Sequence, residues 1–187
     1  MTTPFATPAA VAAALVALIA GPALAADYVQ APGSSLAFAS RYDGETFTGT
    51  FPGFVTRLAF DPAEPAKAAL DVTIPLAGAR TGNGDRDQTL QGAEFFNAAR
   101  FTEARYSARG FRHLGGSQYA ADGTLSLRGV SKPVTLIFTW TAGTRPVLAG
   151  KATVKRLDFG VGSGDWADTG TIPADVAIST RVVFKAK

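Results

Sequence analysis

One pattern limits this chain more than any other: apolar residues recur at every second position, segment after segment. In "ALDVTIPL", Leu70, Val72, Ile74 and Leu76 share one parity, and Asp71 and Thr73 take the other. "GTLSLRG" sets Leu125 and Leu127 against Thr124, Ser126 and Arg128. "KPVTLIFTW" aligns Val134, Leu136, Phe138 and Trp140, and "DVAISTRVVFK" aligns Val176, Ile178, Val182 and Phe184. Neighbours on a strand point to opposite faces, so each segment is a ribbon with one apolar side. Further ribbons are expected at "SSLAFASRYD", "ETFTGTF" and, more weakly, "FVTRLAFD", "ARYSARGF", "SQYAAD" and "VLAGKATVKRL". Gly, Asn, Asp and Pro clusters such as "YDGE", "DPAEP" and "HLGG" divide them. The expectation is all-β: an antiparallel meander of about eight strands or slightly more that closes into a barrel or folds over on itself, closure leaving few edges.

The stretch "TGNGDRDQTLQGAEFFNAARF" breaks the alternation. Leu90, Phe95 and Phe96 fit one side of a short helix, Asn83 and Asp85 suit its N-cap, and Asp85 and Asp87 complement its positive end. A short helical insertion between two strands is predicted here, with the three apolar residues packed inward.

Residues 1–25 read as a secretory signal peptide. Val11 to Ala20 is one apolar run, Gly21 and Pro22 break it, and Ala23-Leu24-Ala25 offers an A-x-A cleavage site. No Lys or Arg precedes the run, which keeps an uncleaved anchor as the alternative. Residues 26–187 suit one domain, and no segment after the leader is apolar enough to span a membrane. With no cysteine, the domain rests on burial and hydrogen bonding alone, and Cys-based zinc, haem and redox motifs are excluded. The net charge of +3 is scattered, which argues against nucleic acid.

Catalytic patterns fail on spacing. The single histidine, His113, lies in a turn, and Val161 and Tyr119 stand where a G-x-S-x-G motif around Ser163 or Ser117 would need glycine. "NGDRD" and "DFGVGSGDWAD" do not follow the calcium-loop spacing, and "TGNG" matches neither phosphate-binding glycine pattern. No catalytic residue, metal ligand or cofactor site is assigned. Arg100, Arg105, Arg109 and Arg112 form a loose basic series, read as a solvated outward face or, more sharply, as a contact for anionic lipid. The chain has 13 Phe and 2 Trp, many at inward parity. An eight-stranded barrel is just wide enough for packed side chains or one small ligand, and Gly49 and Ala152 are small enough to leave room inside.

Several blocks, in order along the chain, resemble the YceI-like family of polyisoprenoid-binding periplasmic proteins. They are "GTFPGF", "TGNGDRDQTLQGAEFFNAARF", "DGTLSLRGVSKPVTL", "KRLDFGVGSGDW" and "DVAISTRVVF", spanning Asp27 to about Phe184. The resemblance implies a lipocalin-like barrel with an apolar channel for a long isoprenoid such as a quinone tail or polyprenyl compound. It further implies export to the periplasm and, for some members, a link to membrane cytochromes of the b561 type; no catalytic activity is established for the family as a class. The sequence departs from the family at Thr89, where His is common, at Gly92, where Ser is common, and at Glu94, where Asp is usual.

Together these readings give an exported protein that sequesters or carries an amphiphilic isoprenoid. Parity nominates Phe38, Phe47, Phe51, Val72, Ile74, Phe95, Leu127 and Phe138 as ligand-binding, and Arg86 is the candidate headgroup contact. The rival reading is a filled barrel that acts as an interaction or stress-response module docking on a membrane cytochrome. A lipid-headgroup enzyme is a further rival, for which no acid–base pair is in sight.

Overall fold

The computed structural model describes residues 26–187; the leader expected over residues 1–25 lies outside them. Ten strands and one α-helix follow in order: β1 (Ala26–Gln30), β2 (Ser35–Tyr42), β3 (Glu45–Thr50), β4 (Val55–Phe60), β5 (Ala69–Pro75), α1 (Gly84–Gln91), β6 (Glu103–Gly115), β7 (Gln118–Leu127), β8 (Val130–Thr141), β9 (Val147–Lys155) and β10 (Asp175–Ala186). Eight of them close a ring, β1-β4-β5-β6-β7-β8-β9-β10, sealed by antiparallel pairing of β10 back onto β1. The hairpin β2–β3 is added to this ring, which accounts for the two strands beyond the expected eight.

Closure depends on the length of β10. Its C-terminal part pairs with β1 through Phe184↔Gln30 and Ala186↔Tyr28. Its N-terminal part pairs with β2 through Ala177↔Ala39 to Arg181↔Ser35. Along its other edge β10 pairs continuously with β9, from Asp175↔Lys155 to Val183↔Val147. The hairpin therefore widens the wall at one end of the barrel only. There β3 meets the chain beyond β5 through a single bridge, Thr50↔Arg80, made of two backbone hydrogen bonds of 2.8 and 3.0 Å.

The two ends differ in filling. At the β1 end, Phe60 has its ring centroid 5.4 Å from Phe111, 5.1 Å from Tyr119, 6.3 Å from Phe138 and 5.2 Å from Trp140. Phe60, Phe138 and Phe184 are completely or almost completely buried. Edge-to-face contacts of this kind add to the large area such rings bury, and they make a solid floor. Towards the β2–β3 end the inward residues Val72, Ile74, Val134, Ala152, Val154, Val176 and Ile178 are only half-buried, although they face inward. Inward parity with residual exposure means a wall around space rather than a packed core.

α1 forms where the alternation stops. Asn83 is its N-cap, and its side chain accepts the Arg86 backbone N–H at 3.0 Å. Asp87 accepts from the Thr81 backbone N–H at 2.7 Å and from the Thr81 hydroxyl at 2.6 Å, fixing the entry to the helix. The Thr81 hydroxyl bond holds the Asp87 carboxyl below the usual carboxylate range, helped by the Thr81 amide and by Arg86 and Arg80 nearby.

Candidate functional site: an apolar channel with an aromatic floor

A cavity of about 190 Å³ runs inside the barrel above the aromatic floor. All eight ring strands except β1, together with both hairpin strands or their ends, send side chains into it. Leu90 of α1 and the following Phe95 and Phe96 line it from the open end. Four rings form a connected row from the β2–β3 wall to the segment after α1: Phe38 is 6.4 Å from Phe47 and 5.1 Å from Phe51, and Phe51 is 5.8 Å from Phe96.

Seven of the eight nominated residues line this cavity: Phe38, Phe47, Phe51, Val72, Ile74, Phe95 and Leu127. Phe138 does not. It packs in the floor, 5.3 Å from Phe111 and 5.6 Å from Tyr119, so its role is to close the channel rather than to line it. Ala152 lines the cavity as expected from its size. Gly49 leaves no room for a guest: a Cβ there would lie 2.3 Å from the Phe38 ring, because that ring already fills the space.

The cover over the open end is tied down by two arginines that the sequence pattern does not single out. Arg156, 3 % exposed, donates all five of its N–H groups to carbonyls: Nε to Pro173 at 3.1 Å, Nη1 to Val161 at 3.1 Å and Gly162 at 2.7 Å, Nη2 to Trp166 at 2.9 Å and Ile172 at 2.7 Å. Burial pulls the guanidinium below its ordinary pKa, with Asp168 opposing the shift. Gly162 is required beside it, since its φ is +67° and a Cβ would come within 2.5 Å of Nη1. Arg128, in the turn after β7, donates to the carbonyls of Ala93 and Glu94 at 3.0 Å each and to that of Gly160. Arg128 fastens the segment after α1 to the loop between β9 and β10, and Arg156 holds that loop to itself. Isolated arginines carry no periodicity, which is why alternation is silent about them.

Arg86 pairs with neither Asp87 nor Glu94. Its guanidinium carbon lies 4.3 Å from the centroid of Phe47, at the rim of the channel. Glu94 instead accepts the indole N–H of Trp166 at 2.8 Å, and Trp166 in turn packs 5.5 Å from Phe95.

The basic series on β6 belongs to the sheet. Arg105 pairs with Glu103, Arg109 with Asp71 and Arg112 with Asp122, each on the outer face of the barrel. These three side chains are exposed and each has a carboxylate partner, as a solvated face requires; Arg100 precedes β6, with its guanidinium carbon 5.1 Å from the centroid of Phe101. His113, expected in a turn, stands in β6 opposite Tyr119, and its Nε2 meets the carbonyl of Gly116 at 2.9 Å in the turn that follows. Among the described residues no group of three His, Cys, Asp or Glu side chains is placed to hold a metal ion, and no helix is long and apolar enough to cross a membrane.

The YceI-like domain model matches residues 28–184, nearly the whole described chain. The chain belongs to the YceI-like family. Within reach of this YceI-like protein is the UPF0312 protein of Serratia proteamaculans, 33% identical over 177 residues, with 88% of this chain and 89% of the relative covered. Among solved structures, BcnA of Burkholderia cenocepacia superposes with a TM-score of 0.77 at 27% identity, covering 80% of this chain and 95% of that one. A polyisoprenoid binding domain from Saccharophagus degradans, implicated in plant cell wall breakdown, superposes with a TM-score of 0.65 at 19% identity, covering 88% and 99% respectively. This last likeness is one of fold.

Proposed function

We propose that this YceI-like protein is an exported, periplasmic carrier that holds a long-chain isoprenoid, such as a polyprenyl or quinone-type lipid, in its barrel. The observation that carries the reading is the half-buried inward wall: Val72, Ile74, Val154, Val176 and Ile178 face a cavity whose lining is almost wholly apolar. Each methylene moved from water into such a space contributes roughly 0.8 kcal/mol, before the cost of ordering the chain. A slender, branched hydrocarbon suits a narrow channel because it gains that burial without a wide cavity. The polyisoprenoid binding named for the Saccharophagus degradans domain supports the choice of ligand class. A leader cut after Ala25 would deliver the domain to the periplasm, and the mass of the mature N-terminus checks that step.

The filled-barrel reading fits the floor but not the opposite end, where inward side chains keep contact with space. Displacement of an environment-sensitive apolar fluorophore from purified mature protein tests the carrier reading. Prenols of rising chain length should compete with rising affinity; no competition by any of them would sink it.

A further inference from the structure

An apolar cavity makes each polar atom in its wall conspicuous. Five polar side chains line this one: Ser40, Thr56, Tyr106, Arg156 and Thr180. Three of them are fully engaged. The Tyr106 hydroxyl donates to the Ala121 carbonyl at 2.7 Å, Arg156 has all its donors occupied, and Thr180 Oγ1 donates to the Ser35 carbonyl at 3.1 Å. Ser40 Oγ and Thr56 Oγ1 are buried with no hydrogen-bond partner among the described residues.

Of the two, Thr56 is the deeper. It is 1 % exposed and lies on β4 opposite Val72, in the same inward row as Leu58 and Phe60 of the floor. Ser40 sits further out, opposite Phe47 on the rim. A buried hydroxyl left unpaired is destabilising, whereas valine would have the same shape at that position with nothing to satisfy. The cavity is the direction from which a partner can come.

We infer that Thr56 hydrogen-bonds an uncharged oxygen of the bound lipid, so that the isoprenoid enters with its oxygen-bearing end towards the floor. This rests on the carrier reading and specifies its ligand. The group is an alcohol, ester or quinone carbonyl. A phosphate at that depth would shed its water without a cation in return, because the one charge in the lining, Arg156, has no donor to spare. Phosphorylated prenyl lipids must keep their heads outside the channel or stay out of it.

The test compares geranylgeraniol with the hydrocarbon made by removing its hydroxyl, both competing against one apolar fluorophore on the mature protein. Wild type should bind the alcohol about tenfold more tightly, the equivalent of one well-made hydrogen bond. Thr56→Val should erase that preference by weakening the alcohol alone, Thr56→Ser should keep most of it, and Ser40→Ala should leave it intact. Equal binding of the two probes by wild type, a preference that survives Thr56→Val, or one erased by Ser40→Ala instead would overturn the inference while leaving the carrier reading standing. Binding of neither probe would overturn both.

Discussion

The guanidinium carbon of Arg86 lies 4.3 Å from the centroid of the Phe47 ring, joining α1 to the exposed edge of β3. Apart from this stack, the seam between β3 and the chain beyond β5 is tied by the Thr50↔Arg80 bridge. A cation over a ring at an exposed site contributes about 0.5–1 kcal/mol. Arg86→Ala should therefore leave the fold intact and speed lipid release two- to fivefold, about what that energy allows. Stopped-flow release of a fluorescent lipid into acceptor vesicles measures it; an unchanged rate would mean that the seam is not the exit.

The Phe38 ring occupies the place of a side chain on Gly49. Gly49→Ala should destabilise by about 1–3 kcal/mol, since overpacking forces the ring or the strand to move. The ring's open side is the channel, so lipid capacity should fall with it. Urea unfolding and lipid titration of the variant check the two effects together.

Arg156→Met would remove a guanidinium that satisfies five carbonyls and leave those carbonyls buried and unpaired. The cost should exceed about 3 kcal/mol, summed over several orphaned acceptors. Arg156→Lys should recover little, because an ammonium offers three donors from one point and cannot reproduce the planar fork. Thermal unfolding of both variants measures the difference, and hydrogen exchange should show the loop between β9 and β10 opening first.

Asp122 gives a pH-dependent case. The hydrogen bond from Arg112 and another from Thr135 hold its carboxyl below the usual range. A depressed folded-state pKa contributes stability at pH values above the unfolded value of about 3.9, and that contribution is lost as pH falls through the folded-state pKa. Asp122→Asn should thus destabilise at neutral pH, by less than about 1 kcal/mol because the pair is exposed. The difference between variant and parent should vanish in strong acid. A difference that persists there would assign the effect to packing.

What could be read from sequence followed the range of the interactions. Alternation fixes which side of a ribbon is apolar, so the inward parity of Val72, Ile74 and Leu127 was legible. The cap at Asn83 was legible because a capping bond spans only three residues. Parity does not report depth along the barrel. Phe138 shares a face with Leu136, yet only the register against β7 and β9 reveals that it belongs to the floor. Gly49 looked like space because its occupant, Phe38, comes from the neighbouring strand. Thr56 was hidden in one of the weaker ribbons, where a β-branched residue is unremarkable until its hydroxyl is seen facing an apolar cavity.

The proposed carrier role places an isoprenoid against the wall around Ile74. Ile74→Asp would put a carboxylate into that apolar lining, and Phe138→Leu would disturb the floor without entering the cavity. The direct measurement is mass spectrometry of organic extracts from natively purified wild type and both variants. Wild type should yield a near-stoichiometric isoprenoid, a folded Ile74→Asp protein almost none, and Phe138→Leu an amount close to wild type. Wild-type protein that repeatedly yields no lipid, or folded Ile74→Asp that retains it, would contradict the account.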